Sequence, residues 1–291
     1  MTISVEKSTT AKKRLRRKPH NRLTADGQGV DIPGNNMKEE KILHQTIEKL
    51  SQMKLHGMAA AFQQQFEQPS LTGMSFEDRF AMLVDHEWNS REDRKLTKRL
   101  RMARLRTDAT VEDIDYQHPR GLDKSVIRSL ASCQWIRSHQ NVIVTGPTGI
   151  GKSYLAEAFV NKACREGFTA VRYRYSELFG EMEIARADGS YFKFLGRLSK
   201  FELIAIDDWA MEPLSEDDRR HFLELMEDRH GLKSTFITSQ YPVAKWHDRI
   251  GEPTMADAIL DRIVHNAHKI ALKGNGESMR KTRSNLTHRE H

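Results

Sequence analysis

Cysteine is nearly absent from this chain: there are two in 291 residues, Cys133 and Cys164, far apart and matching no metal-ligand spacing. Neither a disulfide framework nor a cysteine metal site is therefore expected, and a reducing, cytosolic compartment fits best. No apolar run approaches the ~20 residues of a membrane span, and the basic N-terminus lacks the apolar segment of a secretory signal behind it. A soluble, cytoplasmic protein is the expectation. Internal repeats are also missing. What the chain does have is length for one sizeable domain or two smaller ones and a formal net charge of +7. Clustered Lys and Arg displace counterions condensed on nucleic acid, so the surplus favours a polyanionic partner. Where the cations cluster decides more than their sum.

Residues 1–36 carry KKRLRRK at 12–18 and then Gly, Asn, Asp and Pro without apolar periodicity, which predicts a disordered basic tail. From about Met37 a helical pattern starts with Ile42, Thr46, Leu50 and Met53, and resumes after Gly57 with Met58, Ala61, Phe62 and Phe66. The segment from Pro69 to Gly73 breaks it. A further helix is predicted from Ser75, an N-cap with Asp78 three residues on, through Phe76, Phe80, Leu83 and Trp88 towards Leu105. Within 91–106, Leu96, Leu100 and Ala103 form one stripe, while Arg91, Arg94, Lys95, Lys98, Arg99 and Arg101 project mainly from the other side. A merely solvated face would mix signs, yet Glu92 and Asp93 are nearly the only acids there. This favours contact with nucleic-acid phosphates, reading charge and shape instead of base sequence. Residues 37–115 thus read as a small all-α N-terminal domain, and 107–120 as a polar linker into a second domain at 116–291.

Beyond the linker, short apolar strands alternate with helical segments: NVIVT (141–145), TAVRYR (169–174), ELIAID (202–207), STFITS (234–239) and HKIAL (268–272). That alternation predicts an α/β fold with a largely parallel sheet of five strands, covered by helices on both faces. Between the first strand and its helix lies GPTGIGKS, which fits G-x-x-x-x-G-K-[ST] in the required context. Glycines let backbone N–H groups close around phosphate oxygens, and the helix N-terminus adds its positive end. The candidate nucleotide cradle is Gly146, Pro147, Thr148, Gly149, Ile150, Gly151, Lys152, Ser153 and Tyr154. Lys152 would neutralise β- and γ-phosphate oxygens of ATP, and the Ser153 hydroxyl would hold Mg²⁺. LIAIDDW ends a buried strand in two carboxylates: Asp207 is the candidate acid for Mg²⁺, and Asp208 is placed to orient the attacking water of an ATPase. Many such enzymes carry Glu there, and Asp has one methylene less reach. In ITSQY, Ser239 and Gln240 are both candidates for a polar group facing the γ-phosphate. Arg262, near the end of PTMADAILDRI, and Arg280, in GESMRK, are candidates for an arginine reaching a neighbour's γ-phosphate.

GPTGIGKSYLA, AIDDW, ITSQYP, PTMADAILDRIVHNAHKI and KGNGESMRK, with LSQMKLHGMAAAF (50–62) and RGLDK (120–124), together resemble the IstB group of AAA+ ATPases over roughly 37–281. These are transposition helpers encoded beside an IstA-type transposase in insertion sequences, related to DnaC helicase loaders and DnaA initiators. The resemblance implies an AAA+ P-loop NTPase that forms a homo-oligomer on double-stranded DNA with ATP and Mg²⁺, deforms it and delivers it to the transposase, with hydrolysis driving release. It implies that Arg262 is the trans-acting finger and Arg280 the second sensor. It also places 176–200 where initiator-like members insert an extra helix facing DNA, which nominates Arg186, Lys193 and Arg197. Two departures stand out: residues 1–36 have no counterpart, and the roughly twenty residues after the last strand are too few for a helical lid domain. Two rivals share the core: a DnaC-like loader preferring single strands, and a nucleotide-switched DNA-binding protein without significant hydrolysis.

Overall fold

A computed structural model describes residues 33–68, 71 and 73–274, so Arg280 and most of the basic tail expected at 1–36 lie outside the described residues. The chain divides into two compact units, Met1–Thr72 and Gly73–His291. In the first, α1 (Pro33–Gln52) and α2 (His56–Glu67) are separated near the expected break. Lys54 closes α1 at φ 61°, and the Leu55 N–H donates to Leu50 O at 2.8 Å. This left-handed stop ends the helix without a glycine.

The second unit opens with α3 (Phe76–Met102), capped as its sequence predicts: the Asp78 N–H donates to Ser75 Oγ at 3.1 Å. Leu96, Leu100 and the buried Ala103 pack on the core of the unit that follows, so α3 is built into the α/β unit and not grouped with α1 and α2. Then come α4 (Lys124–Leu130), α5 (Gln134–Arg137), β1 (Asn141–Thr145), α6 (Lys152–Arg165), β2 (Ala170–Arg174), α7 (Tyr175–Ala187) and α8 (Tyr191–Leu198). The chain continues through β3 (Leu203–Asp207), α9 (Glu216–Arg229), β4 (Ser234–Ser239), α10 (Trp246–Ile250), α11 (Pro253–Val264) and β5 (Ala267–Ala271). All pairings are parallel and the strand order is β2-β3-β4-β1-β5. This is the α/β architecture with a five-stranded parallel sheet and a preceding helical region expected from the sequence.

Strand alternation sorts the core into two layers. Val142, Val144, Leu203, Ala205 and Phe236 face α6 and the end of α3, whereas Ile143, Ile204, Ile206 and Ile237 face α7 to α11. Both cysteines are fully buried, and burial pushes each thiol up to about 11, so they pack as small apolar groups. Among the described residues no helix is long and apolar enough to cross a membrane.

The segment read as a polar linker is a strap instead. Ala109, Val111 and Ile114 are buried in the core, and Thr107 donates both its N–H (2.9 Å) and its hydroxyl (2.5 Å) to Glu157 Oε2 on α6. Its apolar residues are too few and too irregularly spaced to register as a periodic element.

Candidate nucleotide-binding site

Parallel strands bring their carboxyl ends to one edge of the sheet, so Thr145, Arg174, Asp207 and Ser239 end there side by side. Ligands of open α/β sheets bind at that edge. A cleft of about 740 Å³ lies there, lined by Thr148, Gly149, Gly151, Lys152, Ser153 and Tyr154 among others. Arg106 and Thr107 reach it from the strap, and Arg172 and Arg174 from β2.

The loop has the geometry of a phosphate cradle. Gly149 and Gly151 sit at φ 80° and 95°, where a Cβ is strained. A Cβ on Gly146 would stand 2.7 Å from Leu272 O, so the backbone approach permits only glycine there. Lys152 begins α6, is 5% exposed, and donates to Pro147 O at 3.0 Å, folding its ammonium back over the loop. Ile150 is buried and fixes the loop from below. Arg120, 1% exposed, donates to Ile150 O at 2.9 Å and to Asp115 O at 2.8 Å, joining strap to cradle. We expect Arg120→Ala to leave two carbonyls without these donors and to cost about 2 to 4 kcal/mol. A denaturant midpoint shift with an unchanged m-value is the check.

The two acids are held by a hydroxyl that sequence reasoning passed over. Thr238 Oγ1 donates to Asp207 Oδ1 at 2.5 Å and accepts from the Asp208 N–H at 3.1 Å. Asp207 is 1% exposed, and its Oδ2 accepts from Arg172 Nη2 at 2.5 Å. Asp208 is half-buried at φ 59°. Burial, and then the neighbouring Asp207 charge, raise its carboxyl above the ordinary value, the direction that suits a proton acceptor. Oxygen donors such as the Ser153 hydroxyl and the Asp207 carboxylate suit Mg²⁺, which is commonly held by one or two carboxylates plus substrate phosphates. Among the described residues no cluster of three or more His, Cys, Asp or Glu side chains is placed to hold a metal ion.

Strand parity separates the two candidates at the end of β4. Ser239 shares the face of Ile237, is fully buried, and donates to Trp209 O at 2.9 Å. It does not line the cleft, whereas Gln240 does. Arg262 is also absent from the cleft. Asn141, at the opposite end of β1, donates to Arg262 O at 3.3 Å, which puts Arg262 roughly a strand's length, ~15 Å, from the cradle. Its guanidinium pairs with Glu227 at 2.9 Å.

On α3, Arg91 and Arg94 lie 2.6 and 3.5 Å from Glu87, and Lys95 lies 2.8 Å from Glu92, with the cationic heads still about half exposed. Lys98 and Arg101 are exposed as well. Arg99 departs from the expected outward face: it donates to Cys164 O at 2.8 Å and fastens α3 to α6. Across the α7–α8 turn, Arg186 lies 4.4 Å over the Tyr191 ring and Arg197 5.2 Å over the Phe194 ring, while Lys193 is exposed.

Comparison with known proteins finds ATP-binding relatives. The family model described as "IstB-like ATP binding protein" matches residues 48–287. "Putative insertion sequence ATP-binding protein y4pL" of Sinorhizobium fredii is 45% identical over 240 residues, covering 82% of this chain and 97% of its own. "Insertion sequence IS21 putative ATP-binding protein" of Pseudomonas aeruginosa is 27% identical, covering 83% and 91%. Among solved structures, the DnaC helicase loader aligns with a TM-score of 0.46 at 21% identity, over 57% of this chain and 97% of its own. DnaA of Aquifex aeolicus bound to AMPPCP aligns at 0.49 and 14% identity, over 64% and 56%. With a glycine cradle after β1, two acids at the end of β3 on the same sheet edge and a family match over most of its length, this chain belongs to the IstB-like ATP binding proteins of insertion sequences.

Proposed function

We propose that the protein is an ATP-hydrolysing helper of transposition, which assembles on duplex target DNA, deforms it and passes it to the transposase of its insertion sequence. The observation that carries this reading is the cradle of Gly146–Ser153 with buried Lys152, buried Asp207 and half-buried Asp208 at the same sheet edge, and the arginine candidate Arg262 at the far end of the sheet. Bound Mg²⁺ would neutralise charge between the β- and γ-phosphates. Lys152 would hold the same oxygens, Asp208 would orient the attacking water, and Gln240 would face the terminal phosphate. Arg262 serves only a neighbouring copy in this scheme, so turnover depends on assembly. The exposed cations Arg91, Arg94, Lys95, Lys98 and Arg101, with Arg186, Lys193 and Arg197, would follow the phosphate backbone. Bending a short duplex costs about 1 to 6 kcal/mol, which cooperative phosphate contacts repay.

Competition binding at fixed salt, with turnover measured in parallel, tests the reading. Duplex should outcompete single strand by at least about tenfold and stimulate hydrolysis. A tenfold preference for single strand would move the protein to the loader class. Absence of hydrolysis with every DNA would make it a nucleotide switch.

A further inference from the structure

Both oxygens of the carboxylate nominated for Mg²⁺ already accept a hydrogen bond. Arg172 stands opposite Ala205, two residues before Asp207, and a long side chain reaches that diagonal. One guanidinium nitrogen donates to Asp207 Oδ2, and Thr238 takes Oδ1. The same guanidinium faces a second buried carboxylate: Arg172 Nε is 3.8 Å from Glu157 Oε1, too far for a hydrogen bond, and it has no other hydrogen-bond partner. Arg172 and Glu157 are 2% and 4% exposed, so solvent does not complete either group. A buried donor left open beside a buried acceptor marks a second seat one small movement away.

Both seats connect to the helix with the basic face. Glu157 Oε2 holds Thr107 of the strap, and the Arg172 N–H, free because β2 is an edge strand, donates to Ala103 O at 2.9 Å just past α3. Arg104, next in the chain, lies 4.4 Å over the Tyr173 ring and pairs with Glu181 on α7.

We propose that Arg172 is a two-position residue that leaves Asp207 for Glu157 when the nucleotide site takes up Mg²⁺, and thereby transmits occupancy to the strap and α3. Without the metal, Arg172 supplies the positive charge that Asp207 needs in a buried setting. With it, two cations compete for one carboxylate, and Glu157 offers the displaced guanidinium a full ion pair. Once so paired, Glu157 is a weaker acceptor for Thr107, and the strap loosens. The inference rests on the nucleotide reading above and adds a route from that site to the basic helix.

Two measurements on the full chain test it. In Arg172→Met the competing cation is gone, so the Mg²⁺ concentration that half-saturates binding of a fluorescent ATP analogue should fall at least about tenfold. In Glu157→Gln, which keeps an acceptor for Thr107 and removes the second charged seat, that Mg²⁺ concentration should instead rise at least about threefold, because the displaced guanidinium then has no carboxylate to receive it. Hydrogen exchange of the Thr107 amide should accelerate about tenfold with Mg²⁺ and analogue in wild type, and should not respond in Glu157→Gln. A merely structural glutamate would shift exchange equally with and without nucleotide. If Arg172→Met does not fold, the exchange experiment decides alone. Wild-type binding with a Glu157→Gln response equal to wild type would overturn the coupling, and failure of wild type to bind analogue and Mg²⁺ would overturn the nucleotide reading with it.

Discussion

Arg262→Ala is expected to slow ATP turnover in the DNA-bound assembly by about 10³-fold, the scale of losing a trans-acting arginine. Nucleotide affinity of the isolated chain should be almost unchanged, because Arg262 contacts the Asn141 end of β1 and is absent from the lining of its own cleft. Its pair with Glu227 is partly exposed and worth at most about 1 kcal/mol, so the variant should fold. Mixing separates this role from a structural one: Arg262→Ala subunits have intact cradles, and Lys152→Ala subunits have intact fingers. Combined, they should recover part of the activity that each lacks alone. No recovery, with assembly intact, would refute the role in trans.

Lys152→Ala is expected to lower nucleotide affinity by about 10² to 10³-fold, as removal of one preorganised donor to phosphate oxygens does elsewhere. Lys152 is buried, and its ammonium donates to Pro147 O of its own loop. Ligand stabilisation reports the loss without any assay of turnover. At 100 times its dissociation constant a nucleotide should stabilise wild type by about 2.7 kcal/mol. The variant should show almost none at the same concentration.

What the sequence made legible were elements with a local signature. All five strands match the sequence reading within a residue at both ends, β5 being shifted by one, because short apolar runs bounded by polar residues are strand signals on their own. The cradle was equally readable from Gly146–Ser153, since its constraint is backbone geometry within eight residues. The contacts that complete the site are not local. Arg172 and Asp207 are 35 positions apart and meet only through strand register. A charged residue inside the buried TAVRYR strand was the available hint, because such a group demands a partner. Strand parity, which turns Ser239 towards Trp209 and leaves Gln240 at the cleft, needs the layers to be known first. Arg99 looked like one more basic residue on a basic face, and only packing of α3 on α6 shows that it caps a carbonyl.

Sedimentation velocity of the full chain with Mg²⁺, a non-hydrolysable ATP analogue and duplex DNA tests the central claim most directly. The account predicts a large protein–DNA particle only when analogue, Mg²⁺ and duplex are all present, lost with Lys152→Ala. A single polypeptide sedimenting alone under every combination would contradict it.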